Sequence, residues 1–113
     1  MEYYPFDSRN KLYRNIIGAV AEDTTLRLRL LLHFDAKCTC AFLVIRNDSE
    51  AETVEILLTK AETIDNYQVY ECEIELDEGL YWYAFKYKSE YGEFFVTKTD
   101  GSLGTVSKDG AWW

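Results

Sequence analysis

Histidine, proline and methionine each occur once in these 113 residues, cysteine three times and glycine six times. Each scarcity removes a class of function. A Ser–His or Cys–His nucleophile pair would have to use His33, which alternates with Leu30, Leu32 and Phe34 as an ordinary outward or edge histidine does. Three cysteines leave one unpaired, which suits a reducing compartment. Cys38 and Cys40 lie two apart in a strand-like run, where they share a face and are poorly placed to bridge. A thiolate metal site would need a further soft ligand, so no metal and no cofactor are expected. One proline and six glycines exclude a collagen-like or low-complexity chain. No apolar stretch approaches the ~20 residues of a membrane span. The opening "MEYYPFDSRN" lacks the basic region and apolar run of a signal peptide, so a cytoplasmic location is expected.

Positive charge is also in short supply. Twelve Lys and Arg face twenty Asp and Glu, a net charge of −8. That balance disfavours nucleic acid, whose phosphates demand a basic face, and an anionic membrane surface. Neutral ligands and proteins remain as partners.

Aromatic side chains are what the chain has in quantity. Nine Tyr, six Phe and three Trp sit in a composition that is 48% hydrophobic. One domain of this length buries roughly two-thirds of its unfolded surface. The dominant period is two. In "TTLRLRLLLHF", Leu26, Leu28, Leu30, Leu32 and Phe34 share a face against Arg27, Arg29 and His33. "CTCAFLVIRN" is apolar on both faces and reads as a central strand. In "YQVYECEIELDEG", Tyr70, Cys72, Ile74 and Leu76 alternate with Glu71, Glu73 and Glu75. "GLYWYAFKYKSEYGEFFVTK" reads as a hairpin turning at Ser89–Gly92. The only helix candidate is "AETVEILLTKAETI", on the strength of its Ala, Glu, Leu and Lys content; strand is preferred, with Val54, Ile56 and Leu58 on one side. The expected fold is therefore all-β, an immunoglobulin-like antiparallel β-sandwich of about seven strands.

Within it, "DEGLYWY" carries Asp77, Gly79 and Tyr81 at the spacing of a tyrosine corner. Tyr81, Tyr83, Phe85 and Tyr87 would then face the core, with Leu80, Trp82, Ala84, Lys86 and Lys88 outward. Trp82 is the odd member of that outward set.

Chemistry-bearing motifs are sparse. No glycine-rich phosphate loop, nucleophile elbow or metal-ligand spacing occurs. Glu71, Glu73 and Glu75 read as a solvated strand face rather than a glycosidase pair. Asn47-Asp48-Ser49 is a sequon without meaning unless secreted, and Asp100-Gly101 is a turn. The residues point to a non-catalytic chain. Trp82, Trp112 and Trp113 remain, as a sugar-stacking platform or as interface anchors.

The segments "FDSRNKLYRNIIGAV", "LRLRLLL", "AFLVIRND", "ELDEGLYWYAFKY" and "GSLGTVSKDGAWW", in that order, resemble the N-terminal domain of bacterial alpha-amylase-family enzymes of neopullulanase, cyclomaltodextrinase and pullulanase type (glycoside hydrolase family thirteen). The resemblance implies an immunoglobulin-like sandwich, residues 1–113, ahead of a catalytic (β/α)₈ barrel. "GAWW" is then expected to be the seam at which the polypeptide continues. The family's catalytic aspartate and glutamate match no position here. Where the family often has proline after the "GAV" segment, this chain has Ala21-Glu22. Expected partners are the chain's own barrel, a second copy in a homodimer, or α-glucan itself. The alternative from another class is a free-standing adaptor unrelated to sugar.

Overall fold

The computed structural model describes residues 2–15, 24–49, 51–75 and 79–113. Among them run nine strands: β1 (Phe6–Asp7), β2 (Thr25–His33), β3 (Cys38–Asn47), β4 (Val54–Leu57), β5 (Thr59–Ile64), β6 (Tyr67–Glu75), β7 (Tyr81–Ser89), β8 (Gly92–Asp100) and β9 (Leu103–Val106). They form a six-stranded sheet in the order β1-β9-β8-β7-β3-β4 and a three-stranded sheet in the order β2-β6-β5. All strand pairings are antiparallel. This is a β-sandwich, with the core between the sheets.

Alternation fixes what enters that core. From the small sheet come Leu26, Leu28, Leu30, Tyr70, Cys72 and Ile74; from the large sheet come Ala41, Leu43, Ile45, Tyr83, Phe85, Tyr87 and Val96. On the reverse side of the small sheet, Arg27 stands opposite Glu73 and Arg29 opposite Glu71. Arg29 binds Glu71 at 3.0 Å and Glu62 at 2.8 Å, so the acidic row is partly neutralised by its neighbours.

The two-residue period of β2 does not run its full length. Phe34 opens a 3₁₀ turn, Phe34–Ala36, and is exposed, because Lys37 at φ 52° bends the chain into β3. Leu31, on the arginine side of β2, is nevertheless fully buried. The N-terminal stretch runs along the edge of β2 there: the Leu31 and Arg29 N–H groups donate to the Pro5 and Tyr13 carbonyls, and the Asn15 N–H donates to the Arg27 carbonyl. The same stretch supplies β1 to the other sheet, so it closes an edge of both layers.

The helix-prone run "AETVEILLTKAETI" is extended. It divides at Leu58, with β4 pairing in the large sheet and β5 in the small one. Leu58 is buried at the crossing and its N–H donates to the Ala41 carbonyl at 2.8 Å. Pairing on both sides outweighs the helix propensity of a few Ala, Glu and Lys.

Burial raises the pKa of several tyrosines. Desolvation pushes the Tyr83 phenol up to about 12, although the Arg14 guanidinium opposes it, and Tyr13, Tyr70 and Tyr87 are also raised. A raised folded-state value means the folded chain holds the phenol proton more tightly than the unfolded chain, which releases it near pH 10. That contribution is complete below about pH 10 and is lost as pH climbs toward the folded-state values. Melting temperature is therefore expected to fall steeply above pH 10. Phenolate absorbance should rise together with unfolding. Phenolate formation that completes near pH 10 without loss of structure would show these rings to be wet.

Candidate functional site

The outer face of the large sheet is not the plain wet surface that its lysines suggest. Cross-strand pairing puts Arg46 beside Trp82, Val44 beside Ala84 and Phe42 beside Lys86, and sets Lys86 next to Phe95. Ala84 and Val44 are buried on this face. Phe42 lies under two ammonium groups, Lys86 Nζ at 5.4 Å and Lys88 Nζ at 5.7 Å from its ring centre. Lys86 also pairs with Glu55 at 2.6 Å. Lysine stems and aromatic rings thus cover the middle of the sheet.

The last four residues finish this face in a way that alternation alone does not show. β7 and β8 pair over Phe85–Ser89 and Gly92–Val96, and then part. Into the gap comes the segment 110–113. Tyr83 and Trp113 exchange both backbone hydrogen bonds, at 3.0 and 2.9 Å, and Lys98 and Ala111 do the same at 2.8 and 3.0 Å. Gly110 fits against Thr97, where any Cβ would collide with the Thr97 side chain. Successive residues of an extended segment point to opposite faces, so the two terminal tryptophans separate.

Trp113 turns inward. Its ring stacks on Tyr83 at 5.9 Å and meets Phe6 edge-on at 4.7 Å. Its indole N–H donates to the Ser102 carbonyl at 3.0 Å. Gly104 makes room for it, since a Cβ there would fall within the Trp113 ring.

Trp112 turns outward. With Trp82, Arg46, Ala51 and Thr53 it lines an open depression of about 400 Å³. Trp82 and Trp112 are both half-buried. The Trp82 indole N–H donates to Asp48 Oδ1 at 2.8 Å, and the Asp48 N–H donates to the Leu80 carbonyl at 2.8 Å. The turn that carries Asp48 is tied by Asn47 Oδ1, which accepts from the Ser49 N–H at 2.9 Å. The sequon residues therefore orient Trp82. Arg46, Asp48, Ala51 and Thr53 had no signal in the sequence, because only the β3–β7 pairing brings them to Trp82.

Of the tyrosine-corner residues, Gly79 sits at φ 150°, where a Cβ would lie 3.1 Å from Asn47 Nδ2. Tyr81 is half-buried at the start of β7. Asp77 lies outside the described residues.

The remaining candidate groups are occupied locally. His33 Nδ1 accepts from the Asp35 N–H at 3.0 Å, and its ring stands edge-on to Tyr67. Among the described residues no group of three His, Cys, Asp or Glu is placed to hold a metal ion. All three cysteines are free thiols; burial pushes Cys72 up to about 11 and raises Cys38 as well, which keeps those two protonated.

No family model matches the sequence, and no curated protein matches it in sequence. The fold has a counterpart among solved structures. A cyclomaltodextrinase superposes on it with a TM-score of 0.65 at 16% identity, over 98% of this chain and 18% of that chain. The chain thus spans under a fifth of the length of the enzyme it matches. At this identity the likeness is one of architecture. This chain has the fold of a domain-sized part of a cyclomaltodextrinase.

Proposed function

We propose that the chain is a non-catalytic accessory domain of an α-glucan-hydrolysing enzyme of the alpha-amylase family, seated through its Trp82–Trp112 face on the catalytic barrel or on a partner subunit. The observation that carries this is the pairing of two half-buried tryptophans and an arginine around one open depression on the outer sheet face. Trp and Arg are the side chains that anchor interfaces, since each buries a large area and ends in a hydrogen-bonding group. The fold likeness to a segment of a much longer cyclomaltodextrinase supports the rest. Three free thiols fit a reducing, cytoplasmic setting. On this reading the polypeptide continues past Trp113 into a barrel. Reading the codons after Trp113 checks that at once: an open frame encoding a (β/α)₈ domain is expected. A stop codon there would leave a free-standing sandwich instead.

One observation favours a second reading, a carbohydrate-binding module. The Asp48 bond fixes the Trp82 ring, and Arg46 and Thr53 border the same depression with hydroxyl-binding groups. A sugar platform needs that combination of flat ring and polar rim. It predicts saturable binding of maltoheptaose at millimolar to micromolar Kd, about 4–8 kcal/mol. Loss of that binding in Trp82→Ala, with the fold intact, would establish it. No binding at millimolar sugar leaves docking as the role of this face.

A further inference from the structure

The crossing at Leu58 leaves one strand position of the small sheet open. β5 pairs with β6 over residues 67–71, and Thr59 stands opposite Glu71. Continued in that register, Leu57 would stand opposite Glu73 and Glu55 opposite Glu75. Those residues instead cross to the large sheet, where they pair with Phe42 and Val44. Among the described residues, β6 therefore has no neighbour beside residues 73–75 on its β5 side. We propose that an extended segment of a partner protein, with alternating apolar and basic side chains, adds itself there as a strand.

The backbone is turned to receive it. Arg29 and Leu31 give their N–H groups, and Arg27 its carbonyl, to the N-terminal stretch and so away from β6. Residues facing one another across an antiparallel pair turn toward or away together. Glu73, opposite Arg27, thus turns both its backbone groups away from β2 and into the open position. Among the described residues neither group finds a backbone partner. Free edge groups of this kind supply the affinity in strand addition, and alternate side chains supply the specificity.

The two sides of an added strand meet different chemistry. Inward lies the core-facing side of β4. Val54 stands opposite Ile45, a core residue, yet it is 58% exposed, as the inner side of an uncovered edge strand must be. Ile56, two residues on, is only partly buried. Apolar side chains fit that floor. Outward lies the reverse face of the small sheet, where Glu62, Glu71, Glu73 and Glu75 stand with Arg27 and Arg29. Arg29 is shared by Glu62 and Glu71, while Glu73 and Glu75, both exposed, have Arg27 and the Thr25 hydroxyl beside them. The surplus of carboxylates favours lysine or arginine on that side. It also repels a second copy of this chain, whose net charge is −8. The open position belongs to the small sheet and the Trp82–Trp112 depression to the outer face of the large one, so the two surfaces can be occupied separately.

A short capped peptide in which valine and lysine alternate tests this on the 113-residue protein. Binding is measured by calorimetry at low ionic strength, and amide exchange at Glu73 is followed by nuclear magnetic resonance. Saturation at about 100 μM Kd or tighter is expected, with exchange at Glu73 slowed at least tenfold in the complex. Glu73→Gln/Glu75→Gln is expected to weaken binding about fivefold, and Val54→Ser severalfold. All three side chains are exposed, so the melting temperature should stay nearly unchanged. A peptide of the same composition, with valines and lysines in separate blocks, is expected to bind about tenfold more weakly, because only alternation sends valine to one side and lysine to the other. Three results overturn the proposal: no saturation with the alternating peptide, equal affinity for the blocked one, or saturation that leaves exchange at Glu73 unchanged.

Discussion

Trp113→Ala is expected to destabilise the domain by about 3 kcal/mol or more, while Trp112→Ala, one residue away, costs under about 1 kcal/mol. Chemically the substitutions are identical. They differ in which side of the inserted segment the ring occupies. Trp113 packs among Phe6, Tyr83 and Phe85 and gives its indole N–H to Ser102. Its removal opens a cavity in an aromatic cluster and takes away one of two donors to the Ser102 carbonyl, which keeps the Ser8 N–H at 3.1 Å. Alanine can still exchange both backbone bonds with Tyr83, so the loss reports packing and not the strand pairing. Trp112 borders an open depression, and its truncation exposes little that was buried. Urea unfolding followed by far-ultraviolet circular dichroism, which is blind to the lost fluorophore, measures both. Equal costs would mean that the two rings are not divided between core and surface.

Gly104→Ala is the second large effect, an expected loss of about 2 kcal/mol. Replacing glycine inside a strand ordinarily helps, by about 0.4–1 kcal/mol, because it restricts the unfolded chain. Here the added methyl would fall within the Trp113 ring, and the backbone carbonyl of Thr97 stands 3.3 Å away on another side. The ring must leave its place or β9 must shift. If the clash with Trp113 is the cause, the penalty vanishes in the Trp113→Ala background, where the same methyl enters the space the indole left. A double-mutant cycle on the two positions should therefore give a coupling near 2 kcal/mol, large for a pair that forms no hydrogen bond. Additive losses would point to backbone strain at Gly104 instead.

How far the sequence carries can be judged from particular residues. The sandwich and its inner faces follow from alternation, since Leu26, Leu28 and Leu30 in β2 and Tyr70, Cys72 and Ile74 in β6 all enter the core. The hairpin at Ser89–Gly92 was legible because the chemistry of a turn is local. The division at Leu58 was not legible. No Gly, Pro or Asn marks the crossing, and the helix-forming residues around it become extended only through pairing with β3 and β6. The fate of the terminal tryptophans was hidden for a similar reason. Nothing in "GAWW" specifies that Tyr83 and Lys98, distant in sequence, leave a gap of the right width between β7 and β8. Trp82 has the outward side of β7 that alternation gives it, but its half-burial comes from Asp48 and from the lining it shares with Trp112. Those contacts belong to cross-strand pairing and not to sequence neighbours.

The proposed docking role rests on what covers Trp82 and Trp112 when the rest of the polypeptide is present. The most direct measurement is hydroxyl-radical footprinting of these two side chains, made once on the 113-residue chain and once on the product of the full reading frame. Docking predicts that oxidation of Trp82 and Trp112 drops severalfold in the longer protein, while Trp113, partly buried against Phe6, Tyr83 and Phe85 and away from that face, changes little. Equal oxidation of Trp82 and Trp112 in the two proteins would contradict it.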